Sequence, residues 1–261
     1  MRELIPGGSY SRLTMSTISV VIPTRNDAQL LAVCLEALAR QSRRADEVIV
    51  VDNGSTDTTA EVCAAAGVRR IAVDVPGIAA ATARGFDEAR SAVIARLDTD
   101  SVPPPDWLER VAAILERAGP LSAVTGPGDF YGGNRFARWV GRSVYIAGYF
   151  WAVGLLLGHP PLFGSNFAVR AEVWERIRGA VHRGLPPVHD DLDISYQIPP
   201  EVAVICEPTL RVGVSARPFE SRHAVGRRLS MAWTTFGIEF RSEPPLRRRR
   251  RRKEWERAHP R

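Results

Sequence analysis

Asp98 and Asp100 stand one residue apart, directly after the apolar run of VIARLDTDS. Side chains at i and i+2 of a strand point the same way, so two anions there repel unless something positive lies between them. Two readings are open for an isolated D-x-D. One is a solvated turn, where Asp is favoured. The other is a divalent cation held by hard oxygen ligands. Two more polar clusters bear on the choice. Pro23, Thr24 and Arg25 close the run ISVVIPTR, and Asp52, Asn53, Gly54 and Ser55 follow the run EVIVV.

The elements that carry these clusters follow one rhythm. ISVVIPT is a β-branched run and reads as a buried strand. DAQLLAVCLEALARQ has apolar residues at helical spacing, with Asp27 as its expected cap. EVIVV, RRIAVDV and AVIAR read as further strands, and the segments around TAEVCAAAG and GIAAATARGFDEARS as helices between them. Strands that are apolar throughout are those covered on both faces, as in parallel sheets. Right-handed crossovers bring the carboxyl ends of such strands to one edge, where ligands bind. The order β-α-β-α-β-α-β therefore predicts an α/β fold with a mainly parallel central sheet flanked by helices. The three polar clusters would share one edge, which favours the cation over the turn.

Composition narrows the class. The chain has 261 residues, 45% hydrophobic and 25% charged, an ordinary globular balance for one large domain. Cys34, Cys63 and Cys206 are far apart and form no C-x-x-C pair. That argues against a disulfide framework or structural zinc and fits a reducing cytoplasm. No apolar segment of signal-peptide length precedes the first strand, and Met15 is a candidate start. The net charge of +6 is concentrated: the seven residues Arg247–Lys253 are all cationic, and the remainder carries −1. A nucleic-acid-binding domain would spread its cations over a face, so no nucleic-acid partner is expected.

Past Pro120 the regularity loosens. VYIAGYFWAVGLLLG (Val144–Gly158) is strongly apolar but only fifteen residues long, short of the ~20 that span a bilayer. It reads either as a buried helix or as an interfacial segment. LFGSNFAVRAEVWERIRG suggests strand, turn and helix, and EVAVICEPTLRVGVSA a strand pair broken by a proline. VHDDLDISYQI opens a further helix, and SRHAVGRRLSMAWTTFGIEFR suggests an amphipathic one. Residues 242–261 read as a basic, disordered tail, because like charges resist packing together.

Five of these segments, in order, resemble the family 2 glycosyltransferases with the GT-A nucleotide-sugar fold. They are ISVVIPTRND, VIVVDNGSTDTT, RLDTDS, GSNFAVRAEVW and HDDLDISYQI. The likeness covers roughly residues 16 to 200 and implies a GT-A type, Rossmann-like sandwich. It divides into a nucleotide-sugar-binding half (16–119) and an acceptor-binding half (120–241), after a flexible N-terminus (1–15). It implies an inverting, metal-dependent transfer from a nucleoside diphosphate sugar, a UDP-sugar first among donors, to a lipid-linked or cell-envelope acceptor. The enzyme would face the cytoplasm. Apart from the resemblance, the apolar segment Val144–Gly158 and the basic run Arg247–Lys253 could together hold it, as a peripheral protein, against an anionic membrane surface; a core helix with an uninvolved tail is the other reading.

The resemblance also implies roles. Asp100, with Asp98, would hold Mg²⁺ or Mn²⁺, which neutralises the leaving diphosphate. Pro23, Thr24, Arg25, Asp52 and Asp98 would contact the nucleotide, although an Asx-turn is a second reading for Asp52. Asp191, with Asp190 beside it in place of the usual Glu, would take the acceptor proton. Asp193 reads as a helix cap, and His189 as either a ligand or a structural residue. Two positions depart from the family pattern: Thr82 stands where an Arg is usual, with Arg84 two places on, and Gln197 replaces a later Arg. Two other functions compete. One is a degenerate GT-A domain that only binds a nucleotide or a partner. The other is a nucleotidyltransferase, which would need a glycine- and lysine-rich loop that PTRNDAQLL lacks.

Overall fold

The computed structural model describes residues 16–132, 146–184, 188–217 and 222–260. Its first half follows the predicted rhythm: β1 (Ile18–Thr24), α1 (Ala28–Ala39), β2 (Glu47–Asp52), α2 (Thr59–Ala66), β3 (Arg69–Ala72), α3 (Ile78–Glu88) and β4 (Val93–Arg96). There follow α4 (Trp107–Ala118), β5 (Ser122–Thr125), β6 (Gly128–Tyr131), α5 (Ala147–Leu157), β7 (Phe167–Arg170) and α6 (Ala171–Ile177). The last elements are α7 (Asp190–Gln197), β8 (Ala203–Cys206), β9 (Val212–Ser215), α8 (Arg222–Ser242) and α9 (Pro245–Ala258).

Seven strands form one sheet in the order β3-β2-β1-β4-β7-β5-β8, so both halves of the chain contribute to it. β1 pairs in parallel with β2 and β4, setting Thr24 beside Asp52 and Val21 beside Arg96. β7 alone in this sheet runs antiparallel to its neighbours β4 and β5. The pleat of β1 explains its unbroken apolar sequence. Ile18, Val20 and Ile22 face Leu31 and Cys34 of α1 and Trp107 of α4, while Val21 faces Ala81 and Phe86 of α3. Gly85 permits that second contact, since a β-carbon there would stand 2.3 Å from Val21 Cγ1. The chain leaves β1 toward β2 on one side and reaches β4 on the other. The crevice at the carboxyl ends of β1 and β4 is thus a topological switch point.

The loops at this edge hold one another. Asn26, at φ 52°, uses a conformation that Asn tolerates better than most residues. Its Oδ1 accepts the Thr56 N–H at 2.7 Å, and its own N–H donates to Ser55 Oγ at 2.9 Å. Asp57, not Asp27, caps α1: its Oδ2 accepts the N–H of Ala28 at 2.9 Å. Asp27 makes no cap bond and pairs instead with Arg217 at 3.0 Å.

Three other expectations change. The strands of 203–215 do not pair with each other: β8 joins β5 in the main sheet, and β9 joins β6 in a separate parallel pair. The apolar segment forms α5, with Val153 and Leu157 buried but Trp151 and Leu155 exposed; residues 144–145 lie outside the described residues. The basic tail is not disordered over 245–258 but forms α9, started by a proline in its first turn. A spacing of four puts Arg248 and Arg252 on one helix face, and both are buried. Backbone carbonyls receive them: Arg248 Nε donates to Leu157 at 3.1 Å and Nη2 to Ile198 at 2.7 Å, and Arg252 Nη2 donates to Val202 at 2.8 Å. The guanidinium of Arg248 also lies 4.8 Å from the centre of the Tyr196 ring. A delocalised, weakly hydrated cation with five donors is the one that tolerates such burial. The N-terminal segment 1–15 lies outside the described residues.

Candidate active site

Arg96 is the last residue of β4 and is 1% exposed. Its Nη1 lies 2.9 Å from Asp98 Oδ1, and its Nη2 donates to Asp190 Oδ2 at 2.8 Å. One guanidinium thus joins the D-x-D turn to the first turn of α7. Thr82 of α3 adds a third element, its Oγ1 donating to the same Asp190 oxygen at 2.6 Å. Burial works against the charge on Arg96, but Asp190, Asp98, Asp191 and Asp100 together hold its proton more tightly than usual.

The two α7 carboxylates face different surroundings. Burial, with Asp191 adding to it, drives the Asp190 carboxyl up against the pull of Arg96. Burial would raise Asp191 too. The His189 ring beside it, together with Arg96 and the Gly164 N–H, outweighs this and brings it down to about 2. Asp191 Oδ1 lies 2.7 Å from His189 Nδ1 and accepts the Leu192 N–H at 2.8 Å, while Oδ2 accepts the Gly164 N–H at 2.9 Å.

The G-S-N before β7 is explained residue by residue. A β-carbon on Gly164 would stand 2.2 Å from Arg96 Nη1 and 3.0 Å from Asp191 Oδ2, so no larger residue fits without displacing them. Ser165 Oγ donates to Asp98 Oδ2 at 2.5 Å. Asn166 is structural: Oδ1 accepts the Trp107 indole N–H at 2.8 Å, and Nδ2 donates to the Leu210 carbonyl at 2.6 Å.

The structure gathers Asp98, Asp100, Asp190 and Asp191 about Arg96. Thr99 Oγ1 donates to the Pro23 carbonyl at 2.8 Å, tying this group to the end of β1. Thr24 is 4% exposed, and its Oγ1 has no hydrogen-bond partner among the described residues. Arg25 is exposed at the rim. Asp52 stands one strand away. Its Oδ2 takes both Nε and Nη2 of Arg70, at 2.8 and 2.6 Å, and its Oδ1 takes the Ser55 N–H at 2.9 Å, which is the Asx-turn. Asp100 is half-buried, and its carbonyl accepts Tyr131 Oη at 2.7 Å. Burial first, and then the Asp100 charge, pushes the Tyr131 hydroxyl up to about 12.

Three sequence readings are corrected or completed. Asp193 is no cap: it is fully buried, and Oδ2 accepts the His182 N–H at 2.7 Å. Gln197 donates to both oxygens of Glu239 at 3.0 Å, on the side of α7 that meets α8. Arg84 points outward to Glu88 at 2.8 Å. Sequence reasoning missed Arg96 itself. The signal available was a lone cation between Ala95 and Leu97, inside an otherwise apolar strand.

Four carboxylates against the buried guanidinium and the His189 ring leave surplus negative charge, and Asp98 and Asp100 are its half-exposed members. Hard oxygen donors in such excess fit Mg²⁺ or Mn²⁺. The donor atoms of His189, Asp190 and Asp191 also lie within 4.8 Å of one another.

Residues 19–177 match the model of glycosyl transferase family 2. Glycosyltransferase AglE of Haloferax volcanii is 33% identical over 130 residues, covering 46% of this chain and 40% of that protein. An undecaprenyl-phosphate 4-deoxy-4-formamido-L-arabinose transferase of Pseudomonas paraeruginosa is 35% identical over 141 residues, 50% of this chain and 41% of that one. The chain therefore spans less than half the length of these curated relatives. Among solved structures, a mannosyltransferase from Pyrobaculum calidifontis in complex with GDP-Man and Mn²⁺ aligns with a TM-score of 0.66 at 21% identity, covering 93% of this chain and 70% of that one. Glucosyl-3-phosphoglycerate synthase from Mycobacterium tuberculosis, in complex with UDP, aligns at 0.58 and 20% identity, covering 86% and 79%. These likenesses show the shared fold, the GT-A arrangement expected from the motifs. With more than half of its residues matched by the family model, the chain belongs to glycosyl transferase family 2.

Proposed function

We propose that the chain is a metal-dependent, inverting glycosyltransferase. It moves a sugar from a nucleoside diphosphate sugar to a hydroxyl of a lipid-linked or cell-envelope acceptor. The observation that carries this is the convergence of Asp98, Asp100, Asp190 and Asp191 on Arg96 at the carboxyl edge of parallel strands. The acceptor oxygen bonds to the anomeric carbon from the face opposite the diphosphate, which leaves with the electron pair of the broken C–O bond. Asp191 takes the hydroxyl proton as that bond forms; crowding by Asp190 is expected to raise its pKa toward neutrality, but His189 and Arg96 hold it down instead, so it acts as an ionised and weak base. Asp190, Thr82 and Gly164 hold Arg96 and Asp191 in place. The unpartnered Thr24 hydroxyl is a donor group for the nucleotide, next to Asp52 on the neighbouring strand. Asp100 and Asp98 would hold the divalent cation, which when bound neutralises the departing diphosphate as a Lewis acid.

The named ligands of the aligned structures, GDP-Man and UDP, support a nucleotide-sugar donor. The undecaprenyl-phosphate transferases support a lipid-linked acceptor. Cys34, Cys63 and Cys206, all free, support a cytoplasmic setting. The test is a thermal-shift panel of UDP-, GDP- and dTDP-sugars with Mn²⁺, since binding to the native state raises Tm, followed by donor hydrolysis. We expect one donor class to stabilise the protein, and Asp100→Asn to lose metal-stimulated turnover with the fold intact. Full activity in EDTA would overturn metal dependence. Binding without turnover against any acceptor would favour the degenerate, ligand-binding reading.

A further inference from the structure

The outward face of α5 consists of Ala147, Gly148, Trp151, Ala152 and Leu155, all exposed, with Trp151 at 73% and no polar side chain among them. A helix on a water-facing surface normally turns charged or polar residues outward. This face is therefore built to be covered. Beside it lies α9, held against α5 through Arg248 and the Leu157 carbonyl. A groove of about 440 Å³ runs between the two helices. Phe150, Gly154 and Leu155 form one wall, and Arg249, Arg252, Lys253 and Glu256 line the other, Glu256 being paired with Arg252.

The charge on α9 is only partly compensated. Glu243 pairs with Arg248 and Arg251, Glu254 with Arg250, and Glu256 with Arg252. Arg247, Arg249 and Lys253 have no ion-pair partner among the described residues, and Leu246 at the start of the helix is 79% exposed. An apolar helix face with an exposed Trp, flanked by cations in excess, matches an interface between acyl chains and anionic headgroups. It does not match water. No described helix is long and apolar enough to cross a membrane, so this contact lies along a surface.

We propose that α5 and α9 together form a docking face for anionic phospholipid, with Trp151 and Leu155 entering the acyl boundary and Arg249 and Lys253 taking headgroup phosphates. The proposal rests on the lipid-acceptor reading and gives it a geometry. A chain of hydrogen bonds joins the inward side of α5, opposite this face, to the first turn of α7. Tyr149 Oη donates to the Leu162 carbonyl, the Leu162 N–H to Ser195 Oγ, and Ser195 Oγ to the Asp191 carbonyl, at 3.0, 2.9 and 2.6 Å.

The test uses the full chain and flotation with vesicles of phosphatidylcholine alone or with 30% phosphatidylglycerol, at low and high salt. Donor hydrolysis is measured in parallel without lipid. The protein should float with the anionic vesicles and stay at the bottom with the neutral ones, and Trp emission should shift to the blue on binding. Arg249→Glu with Lys253→Glu should reduce binding at least tenfold. Trp151→Ser with Leu155→Ser should abolish the blue shift and the binding that survives high salt. Both variants should hydrolyse donor like the parent, so loss of flotation is separable from failure of the enzymatic reading. Equal flotation of parent and both variants would overturn the proposal, as would failure of the parent to float. Burial of Trp151 in a lipid-free dimer would overturn it in favour of a second copy of this chain.

Discussion

Gly164 approaches Arg96 so closely that a β-carbon would lie 2.2 Å from its Nη1. Arg96 cannot retreat, because Asp98 and Asp190 hold both ends of its guanidinium. Gly164→Ala should therefore displace Arg96 or Asp191. Overpacking of this kind costs about 1–3 kcal/mol. Turnover should fall by about tenfold or more, since small misplacements at a reacting centre are expensive. Parallel measurement of Tm and donor turnover checks this; a variant with parental turnover would show that Arg96 has room to move.

Asp190 and Asp191 should fail differently. Asp191→Asn removes the proposed base and should cut turnover by ~10²-fold or more with donor binding retained. Asp190→Asn leaves the buried Arg96 short of a charged partner, a change that typically costs about 3–5 kcal/mol. Its first symptom should be a lower midpoint in urea. A stable but inactive Asp190→Asn beside an active Asp191→Asn would exchange the two roles.

His189 tunes Asp191. The Asp191 carboxyl lies below its ordinary range, at about 2. Its stabilising contribution is thus present above the unfolded value near 4 and is lost as pH falls toward 2. His189→Gln removes the neighbouring ring that pulls it down, so the acid limb of the rate profile should move to higher pH. An unmoved acid limb would separate the two residues functionally.

Glu239 of α8 gives the opposite sign. Burial, and then Asp193 beside it, pushes its carboxyl up to about 9, while Gln197, His182 and Asp193 surround it. The native state holds a proton that the unfolded chain releases near pH 4. Stability should therefore decline as pH rises from about 4 to 9. Glu239→Gln keeps the shape and removes the titration. Its Tm should vary less over that range than the parental one, by roughly 5 °C; parallel curves for the two proteins would refute this.

Much of the fold was legible because parallel strands covered on both faces leave an unbroken apolar signature. Val20–Ile22 and Ile49–Val51 carry it plainly. The carboxylates of the site were legible because strand ends of one crossover hand share an edge. Strand direction was not: nothing in FAVR states that β7 runs against its neighbours, and that reversal is what brings Gly164 and Ser165 to the edge where β4 ends. Arg96 escaped because its meaning lies in Asp190, 94 residues away. Asp27 adjoins α1 and so reads as its cap, whereas Asp57 reaches the helix from the next loop. The arginine run reads as unable to pack because its acceptors are main-chain carbonyls, which no side-chain pattern announces.

Those carbonyl acceptors bear on how the helix can change. Any amino acid supplies a carbonyl, so substitutions at Leu157, Ile198 or Val202 that preserve the path of the chain preserve the sockets for Arg248 and Arg252. The run itself repeats the required spacing: Arg247 and Arg251 are also four apart, as are Arg249 and Lys253. An insertion of one residue ahead of α9 would bring Arg247 and Arg251 to the same two sockets, whereas a deletion would put Lys253, which lacks the guanidinium, in the second. The attachment is thus written redundantly, and it tolerates a slip of register that would detach a helix anchored by two isolated arginines.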